Sequence, residues 1–273
     1  MSIPAAPSEK LVICMKWGDR YGADYVNRLW RAVRRNVAGP VRLVCFTDDA
    51  AGVDPAVDCR PLPAFEGVRV DLARKPWRKL SLWQKDLGAD LAGRDALVLD
   101  VDLVVTGSLD KFWDYEPGRY VVWENPTKPG SGIGNTSVFR FRVGSHPEIY
   151  NFFMAGPVRL YEEDFTIEQE YISAVLGDGR VRPRGAASAE IQWGQDEQAF
   201  WPKAWCRSFK KDLLPVWPLR WWLVPKLPAG CSVVVFHGKP DPDEAMVGRW
   251  PAKGWKKLYK YVRPTPWVAQ HWG

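Results

Sequence analysis

The stretch from Asp95 to Asp110 constrains the fold more than any other part of this sequence. Ala96 to Leu99 form a short, continuous apolar run, which is typical of a strand buried on both faces of a parallel sheet. The run ends in Asp100 and Asp102, two carboxylates one residue apart. Because ligands of open α/β sheets bind just beyond the carboxyl ends of the strands, the sequence predicts a site here. Carboxylate oxygens suit Mg²⁺ or Mn²⁺, and such an ion usually carries substrate phosphates as well.

Three interpretations of this aspartate pair are open. The two acids could simply be solvated at the end of a strand. They could belong to a haloacid-dehalogenase-type phosphohydrolase, whose first motif has the form Asp-x-Asp-x-Thr/Val and is matched by Asp100, Asp102 and Val104. They could also be the Asp-x-Asp motif of a glycosyltransferase that uses a nucleotide sugar. The rest of the sequence has to decide between them.

A β-α-β arrangement opens the chain. Leu11 to Met15 and Val41 to Thr47 are predicted to be buried strands, and a helix with one apolar face is predicted from about Ala23 to Asn36. This order predicts an α/β fold with a Rossmann-like, mostly parallel sheet flanked by helices. No Gly-x-Gly-x-x-Gly follows the first strand, so the dinucleotide-binding fingerprint is absent.

A helix is predicted to lead into the aspartate strand, because apolar residues recur there at helical spacing: Leu80, Trp83, Leu87 and Leu91. Lys79 stands at its start, where a cation opposes the helix dipole, so capping does not explain it. From these residues alone, Lys79 is either a phosphate-binding or a solvated lysine. Farther on, Thr166-Ile-Glu-Gln169 has the form of a capping box and predicts a helix that runs to about Leu176.

Composition narrows the class of partner. The net charge of +6 suits anionic ligands such as nucleotides, acidic glycans or lipid surfaces, although the charges are dispersed along the chain. Nucleic acid is not expected as a partner, because lysine and arginine do not cluster with aromatic residues on one predicted element except in the tail. The five cysteines form no Cys-x-x-Cys pair, Met1 to Lys10 do not resemble a signal peptide, and no apolar run could span a bilayer. A cytoplasmic protein is therefore expected.

We expect one main domain, residues 1–240, followed by a basic and aromatic C-terminal extension, residues 241–273. The extension carries a predicted short helix at Trp255 to Val262. It could be an anchor at the membrane interface or an arm packed on the domain. Leu213 to Pro228, which is rich in tryptophan, proline and leucine, and the extension are the expected acceptor side, with peripheral contact to the inner face of a membrane.

Five segments carry a more specific signal, in this order along the chain: Asp19-Arg-Tyr21, Lys79-Leu-Ser-Leu-Trp83, Val98-Leu-Asp-Val-Asp-Leu-Val-Val-Thr-Gly-Ser-Leu-Asp110, Asn135-Thr-Ser-Val-Phe139 and Val234-Val-Phe-His-Gly-Lys-Pro240. Together they resemble the glycogenin-like family of retaining glycosyltransferases, which includes bacterial lipopolysaccharide glucosyl- and galactosyltransferases. The resemblance covers roughly residues 11 to 240. It implies the A-type glycosyltransferase fold, that is, the nucleotide-diphospho-sugar transferase type.

By position, the resemblance implies a metal site in which Asp100, Asp102 and His237 bind Mn²⁺ or Mg²⁺. It also implies that Gly238 and Lys239 hold the diphosphate of the donor. The bond to be broken joins a sugar to a diphosphate, so negative charge develops on the leaving phosphate. A metal ion and a lysine would stabilise that charge.

The resemblance assigns three further contacts with the nucleotide sugar. Tyr21 would stack on the base, Lys79 would contact the donor sugar or its phosphates, and Asn135 would form a hydrogen bond with the donor sugar. Leu103, where the family has threonine, and the shortened Gly238-Lys239 ending mark this chain as a remote member.

The family's Gly-Asp-Gln motif, which supplies an acid near the anomeric carbon, is not plainly present in this sequence. Two segments could supply an acid near the anomeric carbon: Glu168-Gln169-Glu170 and Asp196-Glu197-Gln198. The first is preferred, since its order and its distance to Trp201-Pro-Lys-Ala-Trp205 resemble the family's spacing. Glutamate is longer than aspartate by one methylene, which changes the geometry at the reacting carbon.

The sequence thus predicts a metal-dependent glycosyltransferase that moves a hexose from a nucleoside-diphosphate sugar, with UDP as the expected carrier. The acceptor would be a glycan, a lipid-linked glycan or a protein, and retention is implied only by the family. Two alternatives stay open. One is the phosphohydrolase, with Asp100 as nucleophile and Asp102 as acid/base; the other is a catalytically silent protein that binds nucleotide sugars.

Overall fold

The computed structural model describes residues 9–68, 76–156, 160–185 and 188–273. Residues 1–8, on which most of the signal-peptide expectation rests, lie outside these ranges. The strands are β1 (Lys10–Lys16), β2 (Val41–Thr47), β3 (Asp58–Pro61), β4 (Asp95–Leu99), β5 (Leu103–Val105), β6 (Tyr120–Glu124), β7 (Gly134–Arg142), β8 (Gln198–Phe200), β9 (Cys206–Ser208) and β10 (Val233–Val235). The α-helices are α1 (Ala23–Asn36), α2 (Lys111–Asp114), α3 (Pro147–Ala155), α4 (Glu168–Leu176), α5 (Pro242–Met246) and α6 (Pro266–Trp272).

The larger sheet has the strand order β3-β2-β1-β4-β7-β6-β8. Its strands are parallel except β7, which runs antiparallel to both of its neighbours, β4 and β6. Alternate residues of β1 point to opposite faces, so Ile13 lies in one apolar cluster and Val12 in another. The sheet is therefore covered on both faces, and the predicted mostly parallel α/β fold is confirmed.

A smaller sheet, of order β5-β10-β9, continues from the aspartate pair. Strand β5 begins at Leu103, directly after Asp102, and runs antiparallel to β10, while β9 runs parallel to β10. The register pairs Val235 of β10 with Leu103. As a result, the carboxyl ends of β9 and β10 lie beside the start of β5, at the same edge as Asp102.

One predicted helix was wrong, and the start of another is shifted by one residue. Leu80 to Leu91 do not form one α-helix: a 3₁₀ helix ends at Trp83, and Gly88 follows with a φ of +120°. The Asp86 carboxylate accepts a hydrogen bond from the Gly88 N–H at 2.8 Å, a turn contact that competes with helix formation. The helix predicted to run to about Leu176 is present as α4, but it begins at Glu168, one residue later than the capping box implies. The Thr166 N–H accordingly donates to Glu170 at 2.8 Å instead of to Gln169.

The C-terminal extension packs on the main domain through its last helix. In place of a helix at Trp255 to Val262 there is a short 3₁₀ helix, Gly254–Leu258, and the α-helix lies farther on, as α6. Trp272 is 2% exposed and belongs to the third apolar cluster together with Phe236. Arg35 of α1 donates hydrogen bonds to two carbonyl groups at the end of α6. None of the described helices is both long and apolar enough to cross a membrane.

Candidate active site

Asp100 leaves the carboxyl end of β4 beside the first residues of β7. The two strands are antiparallel, with Leu99 opposite Val138, and the Asp100 N–H donates to the carbonyl oxygen of Ser137 at 3.0 Å. The beginning of β7, which contains Asn135 and Thr136, therefore lies at the edge where the aspartates emerge. This is the edge that the sequence predicted to carry the site.

Lys79 lies buried at this edge. The 3₁₀ helix Pro76–Trp83 turns its side chain inward, so that it is 7% exposed, and the ammonium group lies 2.6 Å from a carboxylate oxygen of Asp100. It also donates a hydrogen bond to the carbonyl oxygen of Thr136 at 3.1 Å. Burial alone would lower the pKa of Lys79, but the carboxylates of Asp100 and Glu168 raise it above its usual value. Lys79 is therefore a fixed cation, not a solvated lysine.

Glu168, the first residue of α4, lies on the other side of Lys79. Its side chain is fully buried, and its Oε1 atom accepts a hydrogen bond from the Thr136 hydroxyl at 2.7 Å. Its Oε2 atom is buried without a hydrogen-bond partner in the structure. Burial raises the pKa of this carboxyl, and the positive charge of Lys79 opposes that rise. An unpartnered oxygen on a buried carboxylate is unusual, because buried polar atoms are nearly always hydrogen-bonded.

The neighbouring amides complete this side of the site. Asn135 is 8% exposed, and its Oδ1 atom accepts from the Ser137 N–H at 3.0 Å. Gln169 accepts a hydrogen bond from the Asn125 side chain at 3.2 Å and lies 3.5 Å from the Thr136 hydroxyl. Thr136 thus joins Lys79, Glu168 and Gln169, although no functional role was predicted for it; only its position after Asn135 pointed to the site.

Asp102 is held by Tyr21 at the opening of the site. The Tyr21 hydroxyl donates to the Asp102 carboxylate at 2.7 Å. Burial and the negative charge of Asp100 raise the pKa of Asp102 to about 7, although the hydrogen bond from Tyr21 and the charges of Lys79 and Arg20 oppose the rise. Burial and Asp102 in turn raise the pKa of Tyr21. Two carboxylates held so close favour a bound cation.

A cavity of about 210 Å³ opens beside Lys79 and the aspartate pair, lined by Met15, Lys16, Trp17, Arg20, Tyr21, Pro76, Lys79, Asp100, Val101 and Asp102. Glu168, Asn135 and Gln169 are not among its lining residues. The Arg20 guanidinium lies 4.8 Å from the centre of the Tyr21 ring. Flat aromatic and guanidinium groups at one end of the cavity, with carboxylates and an ammonium group at the other, match a molecule that has both a planar ring and phosphates. The role of Arg20 was not predicted, although it stands inside the Asp19-Arg-Tyr21 segment.

His237 lies at the same edge as Asp102, two residues after Val235, but it already has a partner. Its Nε2 atom lies 2.7 Å from the hydroxyl oxygen of Ser208. Burial and the charges of Lys210 and Lys211 lower the pKa of His237 to about 4, so the ring is neutral. A neutral imidazole can bind a metal ion. Within the described ranges, however, no three His, Cys, Asp or Glu side chains are arranged to hold one.

The remaining predicted residues are engaged elsewhere. Lys239 forms ion pairs with Asp241 at 2.7 Å and with Glu244 at 2.9 Å. Glu170 pairs with Lys128 at 2.6 Å. Asp196 directly precedes the β8 region, and β8 runs parallel to β4 because both are linked through β7 and β6. Asp196 therefore lies at the amino-terminal edge of the sheet, opposite to Asp100, and its side chain is 79% exposed. Of the two acidic segments, only Glu168-Gln169-Glu170 reaches the candidate site.

Comparison with known proteins identifies the fold. No protein-family model matches the chain, and no curated protein matches it. Among solved structures, the chain is similar to the galactosyltransferase LgtC in complex with donor and acceptor sugar analogues, with a TM-score of 0.54 and 12% identity over 86% of this chain and 89% of that one. It is also similar to the glycosyltransferase GlyE of Streptococcus pneumoniae, with a TM-score of 0.52 and 12% identity over 85% of this chain and 56% of that one.

A third similar structure is the bifunctional glycosyltransferase WbbM, with a TM-score of 0.52 and 11% identity over 88% of this chain and 48% of that one. The chain thus spans about half the length of GlyE and of WbbM and most of the length of LgtC. At 11–12% identity, these similarities show the fold of the chain and nothing finer. The A-type glycosyltransferase fold predicted from the sequence is confirmed.

Proposed function

We propose that this protein is a metal-dependent glycosyltransferase that moves a hexose from a nucleoside-diphosphate sugar, with UDP as the expected carrier, to an acceptor. The observation that carries the proposal is the position of Lys79. Its buried ammonium group forms an ion pair with Asp100 at the carboxyl end of β4, is influenced by the charge of Glu168, and lines the cavity that Tyr21 and Asp102 also line. The similarity of the fold to glycosyltransferases supports the same reaction class.

The residues present fit Mg²⁺ or Mn²⁺ with two protein ligands, Asp100 and Asp102. These ions keep several waters and bind through one or two carboxylates together with substrate phosphates, so a complete cage of protein ligands is not required. Bound there, the ion would stabilise negative charge on the leaving diphosphate. His237 is a third ligand in this proposal only if its ring exchanges Ser208 for the metal.

Lys79 and Glu168 act on opposite sides of the bond that breaks: Lys79 on the leaving phosphate and Glu168 on the sugar. When the bond between the sugar and the diphosphate breaks, its electron pair goes to the phosphate oxygen, and the fixed charge of Lys79 stabilises that oxygen. Glu168 offers its unpartnered Oε2 atom to the sugar, where a carboxylate stabilises positive charge at the anomeric carbon. In this proposal, Asn135 and Gln169 form hydrogen bonds with the sugar hydroxyls. The stereochemical outcome, retention, is proposed from the family resemblance alone.

The activity test is release of nucleoside diphosphate from UDP-, GDP-, CDP- and ADP-hexoses in the presence of Mn²⁺. We expect release from one donor class, reduced about 100-fold in Glu168→Gln. Glu190→Gln, which changes an exposed glutamate in the same way, is the matched control. Binding of a nucleoside diphosphate without release from any donor would instead identify the silent binding protein.

The phosphohydrolase alternative is less well supported. It requires Asp100 to attack a phosphate, yet that carboxylate is ion-paired with a buried lysine and the fold is that of glycosyltransferases. Release of phosphate from simple phosphate esters, lost in Asp100→Asn, would nevertheless revive it.

The acceptor side is proposed to contact a membrane that holds a lipid-linked glycan. The segment from Leu213 to Pro228 packs against the C-terminal extension. The Trp217 indole donates to the carbonyl oxygen of Leu258, and the Trp221 ring stacks on Tyr261 with centroids 4.4 Å apart. Large apolar side chains of these segments remain exposed: Val216, Trp217, Leu219, Trp221, Trp222, Leu223, Val224, Trp255 and Leu258. Three lysines of the C-terminal extension are exposed as well: Lys253, Lys256 and Lys257. Exposed aromatic groups beside cations suit the interface of an anionic bilayer.

Flotation with lipid vesicles tests this contact. We expect the protein to float with vesicles that contain anionic lipid, and Trp222→Ala combined with Trp255→Ala to abolish flotation. Lys203→Glu, on a side chain that is 80% exposed and lies outside both segments, shows whether a less positive net charge alone affects flotation. A wild-type protein that stays at the bottom with anionic vesicles would contradict the membrane contact and leave the transferase proposal intact.

A further inference from the structure

A second lysine, Lys210, lies at the carboxyl ends of β9 and β10, at the same edge as Asp102. The strands are parallel, with Ser208 opposite Val235, and the next residue of each strand packs on the other: the rings of Phe209 and Phe236 stack with centroids 4.4 Å apart. The residues after these phenylalanines therefore leave the sheet together. On β9 that segment begins with Lys210, and on β10 it begins with His237 and Gly238.

Lys210 lies against the backbone of Gly238. Gly238 has a φ of +67°, and a Cβ atom placed on it would lie 3.4 Å from the ammonium nitrogen of Lys210. Lys210 is also close enough to His237 for its positive charge to lower the pKa of that histidine. The Lys210 side chain is half-buried, so it is held near this glycine and not spread into solvent.

Lys210 differs from Lys79 and Lys239 in forming no ion pair among the residues that the structure describes. Lys79 pairs with Asp100, and Lys239 pairs with Asp241 and Glu244. Within the part of the chain that the structure describes, no carboxylate forms an ion pair with Lys210. Burial and the like charges of Lys260 and Lys211 lower its pKa, and the negative charge of Asp241, which forms no ion pair with Lys210, only partly opposes that shift. A half-buried cation in this setting is costly unless an anion binds beside it.

We infer that Lys210, together with the backbone of Gly238, is the contact for the donor's diphosphate, and that Lys239 is a structural residue. This inference rests on the proposed function, because it names the anion as the leaving diphosphate of a nucleotide sugar. The resemblance had assigned that role to Lys239. The ammonium group of Lys239 is instead placed to neutralise Asp241 and Glu244, which are 4% exposed each.

The test compares Lys210→Met with two matched variants, Lys211→Met and Lys239→Met. Titration calorimetry in the presence of Mn²⁺ measures binding of UDP, of UMP and of inorganic pyrophosphate, the last as a probe that does not depend on the base. A hydrogen bond between charged groups is worth about 1.5–3 kcal/mol, so Lys210→Met should weaken UDP and pyrophosphate binding by about 10-fold to 100-fold. UMP binding should change much less, and Lys211→Met should bind all three as the wild type does.

Thermal unfolding without ligand separates binding from folding. Lys210→Met removes a cation that like charges repel, so its melting temperature should equal or exceed that of the wild type. Lys239→Met removes the nearest cation from two buried carboxylates and leaves them only the longer ion pairs, Arg20 with Asp241 at 3.6 Å and Arg249 with Glu244 at 3.8 Å. This variant should therefore melt lower, while its UDP-to-UMP affinity ratio stays the same.

Three results would overturn the inference. Equal diphosphate binding by Lys210→Met and the wild type would remove Lys210 from the site without affecting the proposed function. A loss of diphosphate selectivity in Lys239→Met alone would return the role to Lys239. If the wild type binds neither pyrophosphate nor any nucleoside diphosphate, both the inference and the proposed function fail.

Discussion

The ammonium nitrogen of Lys79 lies 2.6 Å from a carboxylate oxygen of Asp100, and the side chains are 9% and 24% exposed. The pair joins the 3₁₀ helix Pro76–Trp83 to the end of β4. Removing one partner of a buried ion pair leaves an uncompensated charge, whereas removing both often costs little. The pair therefore offers a direct test of how the candidate site is held together.

Lys79→Met should lower the free energy of unfolding by about 2 kcal/mol, less than for a fully buried pair because Asp100 is partly hydrated. Adding Asp100→Asn should recover most of that loss. Urea unfolding of the two single variants and the double variant measures the coupling. Lys85→Met, at an exposed lysine of the same segment, should have little effect. Additive losses in the double variant would show that the two side chains do not interact.

Glu168→Gln should stabilise the protein in a pH-dependent way. Folding raises the pKa of this carboxyl above 4.5, so the stability it contributes is present below its unfolded pKa and is lost as the pH rises through its folded pKa. A glutamine is neutral at every pH. The melting temperature of Glu168→Gln should therefore exceed that of the wild type at about pH 8, and the difference between the two should shrink toward about pH 4. A difference that grows on acidification would contradict the environment described for Glu168.

Gly134→Ala should destabilise the start of β7, next to Asn135. A Cβ atom at Gly134 would lie 2.6 Å from a methyl carbon of Val122, and overpacking of this kind costs about 1–3 kcal/mol. Val122→Ala removes the obstructing methyl groups, so in that background the same substitution should cost much less. Denaturant unfolding of the four proteins of this cycle measures both effects. An equal cost of Gly134→Ala in both backgrounds would exclude a clash with Val122 as the cause.

The local pattern was sufficient for the elements that frame the site. Buried apolar runs predicted β1 and β2 closely, the apolar face of α1 predicted that helix, and the run from Ala96 to Leu99 ended where the site begins. Leu80 to Leu91 were predicted as one helix because Leu80, Trp83, Leu87 and Leu91 recur at helical spacing. All four are buried, yet the turn at Gly88 breaks the segment, because periodicity reports burial and not the backbone path between buried residues.

The local sequence pattern could not decide which acid, Glu168, Glu170 or Asp196, lies at the site, because that depends on contacts between distant parts of the chain. Glu168 and Glu170 lie two residues apart on α4, and the rotation of a helix turns one toward Lys79 and the other toward Lys128. Asp196 could be set apart only once the strand order was known. The pairing of Lys239 with Asp241 and Glu244 likewise follows from the fold of the segment after β10.

The central claim is that Asp102 and a metal ion together hold a nucleoside diphosphate. It is tested most directly by thermal unfolding of the wild type and Asp102→Asn with UDP, GDP, CDP and ADP, each with and without Mn²⁺. A ligand at 100 times its Kd stabilises a protein by about 2.7 kcal/mol. We predict stabilisation of the wild type that requires one nucleotide and Mn²⁺ together and is lost in Asp102→Asn. A folded wild-type protein that no nucleotide stabilises, with or without Mn²⁺, would contradict the account.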